Sequence, residues 1–145
     1  MRNPLIEQLA SGLYSELPYH NFNHALYTIG AGERIVALCV SQGRKVDWDV
    51  IYYSLLFHDA GYHEDHQAKG FSSKEAYSAH LAGETLLGKG VEAKVAERVK
   101  QTIMCTQREA TCQNDEERVV RTADLSGIGS NYEKFRTDTE ALKQE

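Results

Sequence analysis

His24, the adjacent pair His58-Asp59, and Asp124 are the side chains of this sequence best suited to chemistry. Imidazole nitrogen and carboxylate oxygen together form a donor set that divalent first-row ions accept. The pair closes an apolar run, Ile51-Tyr52-Tyr53-Ser54-Leu55-Leu56-Phe57. An imidazole and a carboxylate are costly in such surroundings unless they are paired or hold a cation. Taken alone, Asp124 reads as a surface residue of an amphipathic helix, since it follows Val119 and Val120 and precedes Leu125. His20 stands four residues before His24, so the two share a face if that segment is helical.

The elements that must position these residues read as helices almost throughout. Leu5, Leu9 and Leu13 mark a first helix ending near Glu16, which Pro18 breaks. A second runs from about 23 to 41, with His24, Tyr27, Ala31, Ile35 and Leu38 on one stripe. Asp47 offers an N-cap for a third over about 48–60, and Gly61 is placed to stop it. Ser72-x-x-Glu75 has the capping-box pattern for a fourth, reaching about Leu87. Val91, Val95, Val99 and Ile103 mark a fifth; Val119, Val120 and Leu125 a sixth. Residues 131–144 can form a last helix through Tyr132, Phe135 and Leu142. The expectation is an all-α fold, as one domain over residues 1–145.

Composition narrows the class of function. The 145 residues are 41% hydrophobic and 26% charged, the balance of a globular protein with one core. A net charge of −5 disfavours a nucleic-acid surface. No stretch approaches the ~20 apolar residues of a membrane span, and the start lacks a signal-peptide core. Cys39, Cys105 and Cys112 are odd in number and show no Cys-x-x-Cys spacing. Cytoplasmic residence without a disulfide framework is the expectation, with Cys39 as core packing.

Tyr19-His20-Asn21-x-x-His24-Ala25, Phe57-His58-Asp59 and Ala123-Asp124-Leu125, in that order, resemble the HD-domain metal-dependent phosphohydrolases. The first motif is also similar to the opening of the cyclic-nucleotide phosphodiesterase metal site. Glu75-x-x-Ser78-Ala79 resembles a helix start that recurs after the His-Asp pair, and the likeness spans roughly residues 19–126. It implies an HD-domain-like bundle of about six to seven helices in which His24, His58, Asp59 and Asp124 hold a divalent ion. Mn, Co, Ni, Mg, Fe and Zn all suit that donor set. The implied reaction is hydrolysis of a small phosphate ester, foremost a nucleotide, as monoester or diester, with the ion polarising a phosphoryl oxygen. In the phosphodiesterase-like pattern His20 protonates the leaving oxygen; the competing role is to hydrogen-bond a metal ligand. The stretch after Asp124 is short for the family, and apolar surface left open there would suit a second copy in a homo-oligomer.

The sequence also departs from the family. Some members carry an acidic pair three and four positions after the Asp, where Tyr62 and His63 stand here and Glu64-Asp65 follow. The phosphodiesterase-like subset has a histidine at the place of Tyr62. Both departures count against a strict two-ion site. Glu64 and His63 remain candidates to activate water, with Glu64 the catalytic choice beside His20. His63, His66 and His80 could complete a second ion, though exposed loop imidazoles are the plainer reading. Gly30-Ala31-Gly32 and Gly127-Ile128-Gly129 complete no nucleotide-binding pattern; they suit a close helix contact and a helix end. The runner-up function is a catalytically weak or inactive HD-fold module that binds metal and nucleotide as a regulator.

Overall fold

Residues 50–57 are buried without a break, so the helix that carries them is surrounded on all sides. That helix is α3 (Trp48–Phe57), and its neighbours are α1 (Pro4–Ser11), α2 (Phe22–Ser41), α4 (Lys74–Gly88), α5 (Ala93–Met104) and α6 (Asp115–Asp124), while α7 (Tyr132–Gln144) packs on the short turn that follows α6. The computed structural model describes residues 2–129 and 132–145, apart from the side chains of Ile128 and Tyr132. Among the described residues the fold is all-α, seven helices and a short 3-10 turn at Leu125–Gly129, with no strand. No helix among them is long and apolar enough to cross a membrane.

The continuous apolar run of α3 becomes intelligible from its contacts. α2 and α6 pack against α3 and against each other, and the α4–α5 pair covers another side. α2 turns Ala25, Thr28, Ile29 and Gly32 inward, the i, i+3, i+4, i+7 spacing of a buried stripe. That stripe lies beside the one expected, and Leu38 is 61% exposed. A Cβ on Gly32 would stand 2.6 Å from Leu55 Cδ1, so the Gly30-Ala31-Gly32 stretch does serve close helix contact, through Gly32.

Several boundaries differ from expectation for local reasons. α1 ends at Ser11, not near Glu16, and residues 13–17 are non-helical. Leu13 and Tyr14 still pack on the core, with the Tyr14 hydroxyl donating to the Leu56 carbonyl at 2.9 Å. α4 is capped by Ser73, whose hydroxyl accepts from Ala76 N–H at 3.0 Å, and not by Ser72. Asp47 caps α3 as expected, accepting from Val50 N–H. Arg98 of α5 then ties that cap to α6, at 2.5 Å from Asp47 and 3.3 Å from Glu116. For the last helix, residue 131 and the side chain of Tyr132 lie outside the described residues.

Candidate metal centre

Each of the four residues owes its position to a helix end. Asn21 accepts the His24 N–H at 3.1 Å as the N-cap of α2, which sets His24 in the first helical turn. The motif's asparagine is therefore the positioning device of its histidine. α3 ends at Phe57, so His58 and Asp59 occupy the turn beyond it rather than the helix interior. Gly61 follows with no positive φ; its role is space, because a Cβ there would collide with the Tyr77 ring. Ser78 Oγ fixes the same turn by accepting Gly61 N–H at 3.0 Å. Asp124 is the last residue of α6.

The donor atoms converge. One ligand atom from each of His24, His58, Asp59 and Asp124 lies within 4.8 Å of all the others. Asp124 Oδ1 is 3.2 Å from both His24 Nε2 and His58 Nε2. Asp59 Oδ2 is 3.1 Å from His58 Nε2 and 3.6 Å from His24 Nε2. Neighbouring ligands of one ion at about 2.1 Å stand roughly 3 Å apart, so these separations fit a shared ion.

Protonation logic points the same way. His58 Nδ1 lies 2.8 Å from the Leu55 carbonyl, which can only accept, so Nδ1 carries the hydrogen. In the neutral ring that leaves a lone pair on Nε2, the metal-binding form. Asp59 Oδ2 is buried and has no hydrogen-bond donor, despite its nearness to His58 Nε2. In the neutral ring the Nε2 lone pair and this carboxylate oxygen face one another, 3.1 Å apart. Burial opposes a second proton on His58, yet Asp59 and Asp124 outweigh it and push the imidazole well above its usual range. Burial would raise both carboxyls, but His58 holds Asp59 and Asp124 below theirs. The C-terminal ends of α3 and α6, each carrying partial negative charge, add to the two carboxylates here. The pocket calls for positive charge, and a proton or a cation can supply it. The donor set fits a divalent ion.

His20 lies beside this cluster, though not as expected. It precedes the start of α2, so no helical repeat aligns it with His24. Its ring instead stacks on Tyr62, centroids 3.6 Å apart, and meets His24 edge-on at 6.1 Å. Lys74 Nζ covers the same Tyr62 ring at 3.8 Å and donates to the Tyr62 carbonyl at 2.9 Å. His20 Nδ1 is 2.5 Å from Glu145 Oε2, and Glu145 Oε1 accepts the N–H groups of Tyr19 at 2.5 Å and His20 at 2.8 Å. The Glu145 side chain is 8% exposed. Burial opposes its charge, but these three donors hold the carboxyl below its usual range. Sequence reading missed Glu145, which stands 125 residues from its partner with no local signal.

Other candidates stay apart. Glu64 lies outside the four-residue group: Lys69 Nζ is 2.9 Å from its carboxylate and the Tyr77 hydroxyl donates to it at 3.2 Å. Among the described residues, none of His63, His66 and His80 joins the group. His80 is exposed beside Phe71, centroids 5.0 Å apart. A cavity of about 200 Å³ reaches His24, lined also by Tyr19, Tyr27, Lys134 and Asp138. The protein is thus an all-helical bundle with a His/Asp group that could hold a metal ion. No protein-family model matches this chain, and no curated protein matches it.

Proposed function

We propose that the protein is a divalent-metal-dependent phosphohydrolase of the HD-domain type, cleaving a small phosphate ester, with nucleotides the first class to test. The observation that carries this reading is the meeting of two imidazole Nε2 atoms and two carboxylates, one of them with a buried oxygen that has no donor. His24, His58, Asp59 and Asp124 would hold the ion. When bound, it would polarise a phosphoryl oxygen and stabilise the charge that builds as water attacks phosphorus. His58 keeps Nε2 turned inward because Nδ1 is committed to the Leu55 carbonyl. His20 supplies a proton to the leaving oxygen as the P–O bond breaks. Glu145 accepts a hydrogen bond from Nδ1–H of that ring, so the proton to be transferred sits on Nε2 and the neutral ring remains oriented afterwards. The Tyr62 face keeps the ring from tilting. The cavity beside His24 is where the rest of the substrate would rest. The cytoplasm, where nucleotides are abundant, is the compartment this reading takes.

One observation favours a second reading, a regulatory module that binds metal and nucleotide without turnover. Glu64, the side chain expected to activate water, is engaged by Lys69 and Tyr77 instead. One experiment separates the two. Untreated protein is analysed for metals, then assayed with a nucleotide panel and an aryl phosphate under added Mn, Co, Ni, Mg, Fe or Zn. The enzyme reading expects turnover that chelation and Asp59→Ala abolish. Stoichiometric metal with no turnover on any substrate supports the regulator. Protein that neither contains nor takes up an ion defeats both.

A further inference from the structure

We propose that Cys105 and Cys112 are a reversible redox pair that closes a disulfide across the α5–α6 connection. Their Sγ atoms lie 2.7 Å apart, closer than van der Waals contact allows for two sulfurs, and the two residues are seven positions apart in the chain. The connection is tied down on both sides of the pair. Cys105 caps α5 through its N–H to the Thr102 carbonyl at 3.1 Å. Gln107 Nε2 donates to Ser73 Oγ at 2.8 Å, and Arg121 Nη2 donates to the Arg108 carbonyl at 2.7 Å. Arg121 Nη1 donates to the Ala110 carbonyl. Beyond Cys112, Gln113 N–H reaches the Glu117 carboxylate at 2.5 Å. Bringing the two sulfurs together therefore costs little further ordering of the chain.

Access assigns the two roles. Cys105 is 4% exposed, whereas Cys112 is partly exposed and opens on a groove formed with Arg118, Arg121, Thr122 and Leu125. Burial, with the neighbouring sulfur adding to it, pushes the Cys105 thiol up to about 12, which suits a resolving rather than an attacking thiol. The oxidant is a low-molecular-weight disulfide. Cys112, as thiolate, attacks one of its sulfurs and expels a small thiolate, leaving a mixed disulfide. Cys105 then gives up its proton and attacks Cys112 Sγ, which expels the second small thiolate. The two protein thiols are oxidised, the small disulfide is reduced to two thiols, and the two protons end on those thiols.

The test uses the full chain. Protein is incubated with glutathione disulfide, acid-quenched, denatured and alkylated with iodoacetamide, then weighed intact and mapped as unreduced peptides. The expected result is one alkyl group, on Cys39, two hydrogens lost, and a Cys105–Cys112 cross-link; dithiothreitol restores all three sites. The thermal midpoint of the oxidised form should rise by roughly 5–10 °C. Cys105→Ser should trap a mixed disulfide on Cys112, and Cys112→Ser should block the cross-link. Three alkylated cysteines after oxidation would overturn the proposal, as would a stable mixed disulfide in the parent chain or a cross-link through Cys39.

Discussion

Replacing Gly61 by Ala asks whether the turn holding His58 and Asp59 is fixed by direct packing. A Cβ at 61 would stand 3.0 Å from Tyr77 Cε1, 3.1 Å from Cγ and nearer still to Cδ1. The ring has no room to retreat: Tyr77 is 7% exposed, Phe71 lies against it at 5.0 Å, and its hydroxyl is bonded to Glu64. Overpacking of this kind costs about 1–3 kcal/mol. Because φ at 61 is not positive, Ala also restricts the unfolded chain, which returns about 0.5–1 kcal/mol. The net expectation is a loss of about 0.5–2 kcal/mol. Gly88→Ala is the matched control, since position 88 ends α4 and a Cβ there meets nothing within 4 Å. It should stabilise by about 0.5–1 kcal/mol. Urea titration reads both, and with slopes of about 1–3 kcal/mol per molar the midpoints should straddle the parent by roughly 1 M in total. A Gly61→Ala midpoint at or above the parent, with the slope unchanged, would refute the packing argument.

Three further outcomes are expected. Saturating the protein with Mn or Ni at about 100 times Kd should stabilise it by about 2.7 kcal/mol, visible as a raised melting midpoint, and Asp59→Ala should remove the increment. His20→Ala should lower turnover by about 10²-fold or more with metal content intact, while Glu145→Gln lowers it less; loss of metal in His20→Ala would mark His20 as a ligand instead. Glu7 accepts from Arg2 at 2.7 Å and Tyr52 at 2.8 Å, and those donors hold its carboxyl below the usual range against burial. A depressed carboxyl stabilises above its unfolded value and loses that contribution as pH falls through the folded one. Glu7→Gln should therefore cost roughly 0.5–1 kcal/mol at pH 7, and the gap from the parent should close toward pH 3 in denaturant titrations.

Helix identity was legible from apolar spacing in α1, α2 and α5, and from capping signals in α3 and α4. Boundaries were less so, because the decisive contacts are tertiary. The segment after Ser11 keeps apolar residues in phase with α1, yet Tyr14 spends its hydroxyl on the Leu56 carbonyl and the chain leaves the helix. Ser72 has Glu75 three residues on and so reads as the cap, yet it is Ser73 that accepts the Ala76 N–H and opens α4. Gly61 looked like a helix stop and is a clearance for Tyr77. His24 and the His58-Asp59 pair stood out by chemical type, Asp124 only through the family resemblance, and the structure brings all four together. Glu64 was chosen for its nearness in sequence to the His-Asp pair, and its carboxylate is bonded to Lys69 and Tyr77. Glu145 had no such neighbour in the sequence, and its place is decided by where α7 runs.

All the donors of the four-residue centre sit at helix ends, separated along the chain by up to 100 residues. No fragment with fewer than three docked helices can present the complete set. Any cation that binds there therefore rewards the finished topology and gives nothing to half-assembled states. Under mass action this deepens the native well alone and makes unfolding more nearly all-or-none. Stripping the ion should accordingly blur the transition as well as lower it, so the breadth of the melting curve becomes a gauge of whether the three helices are riveted.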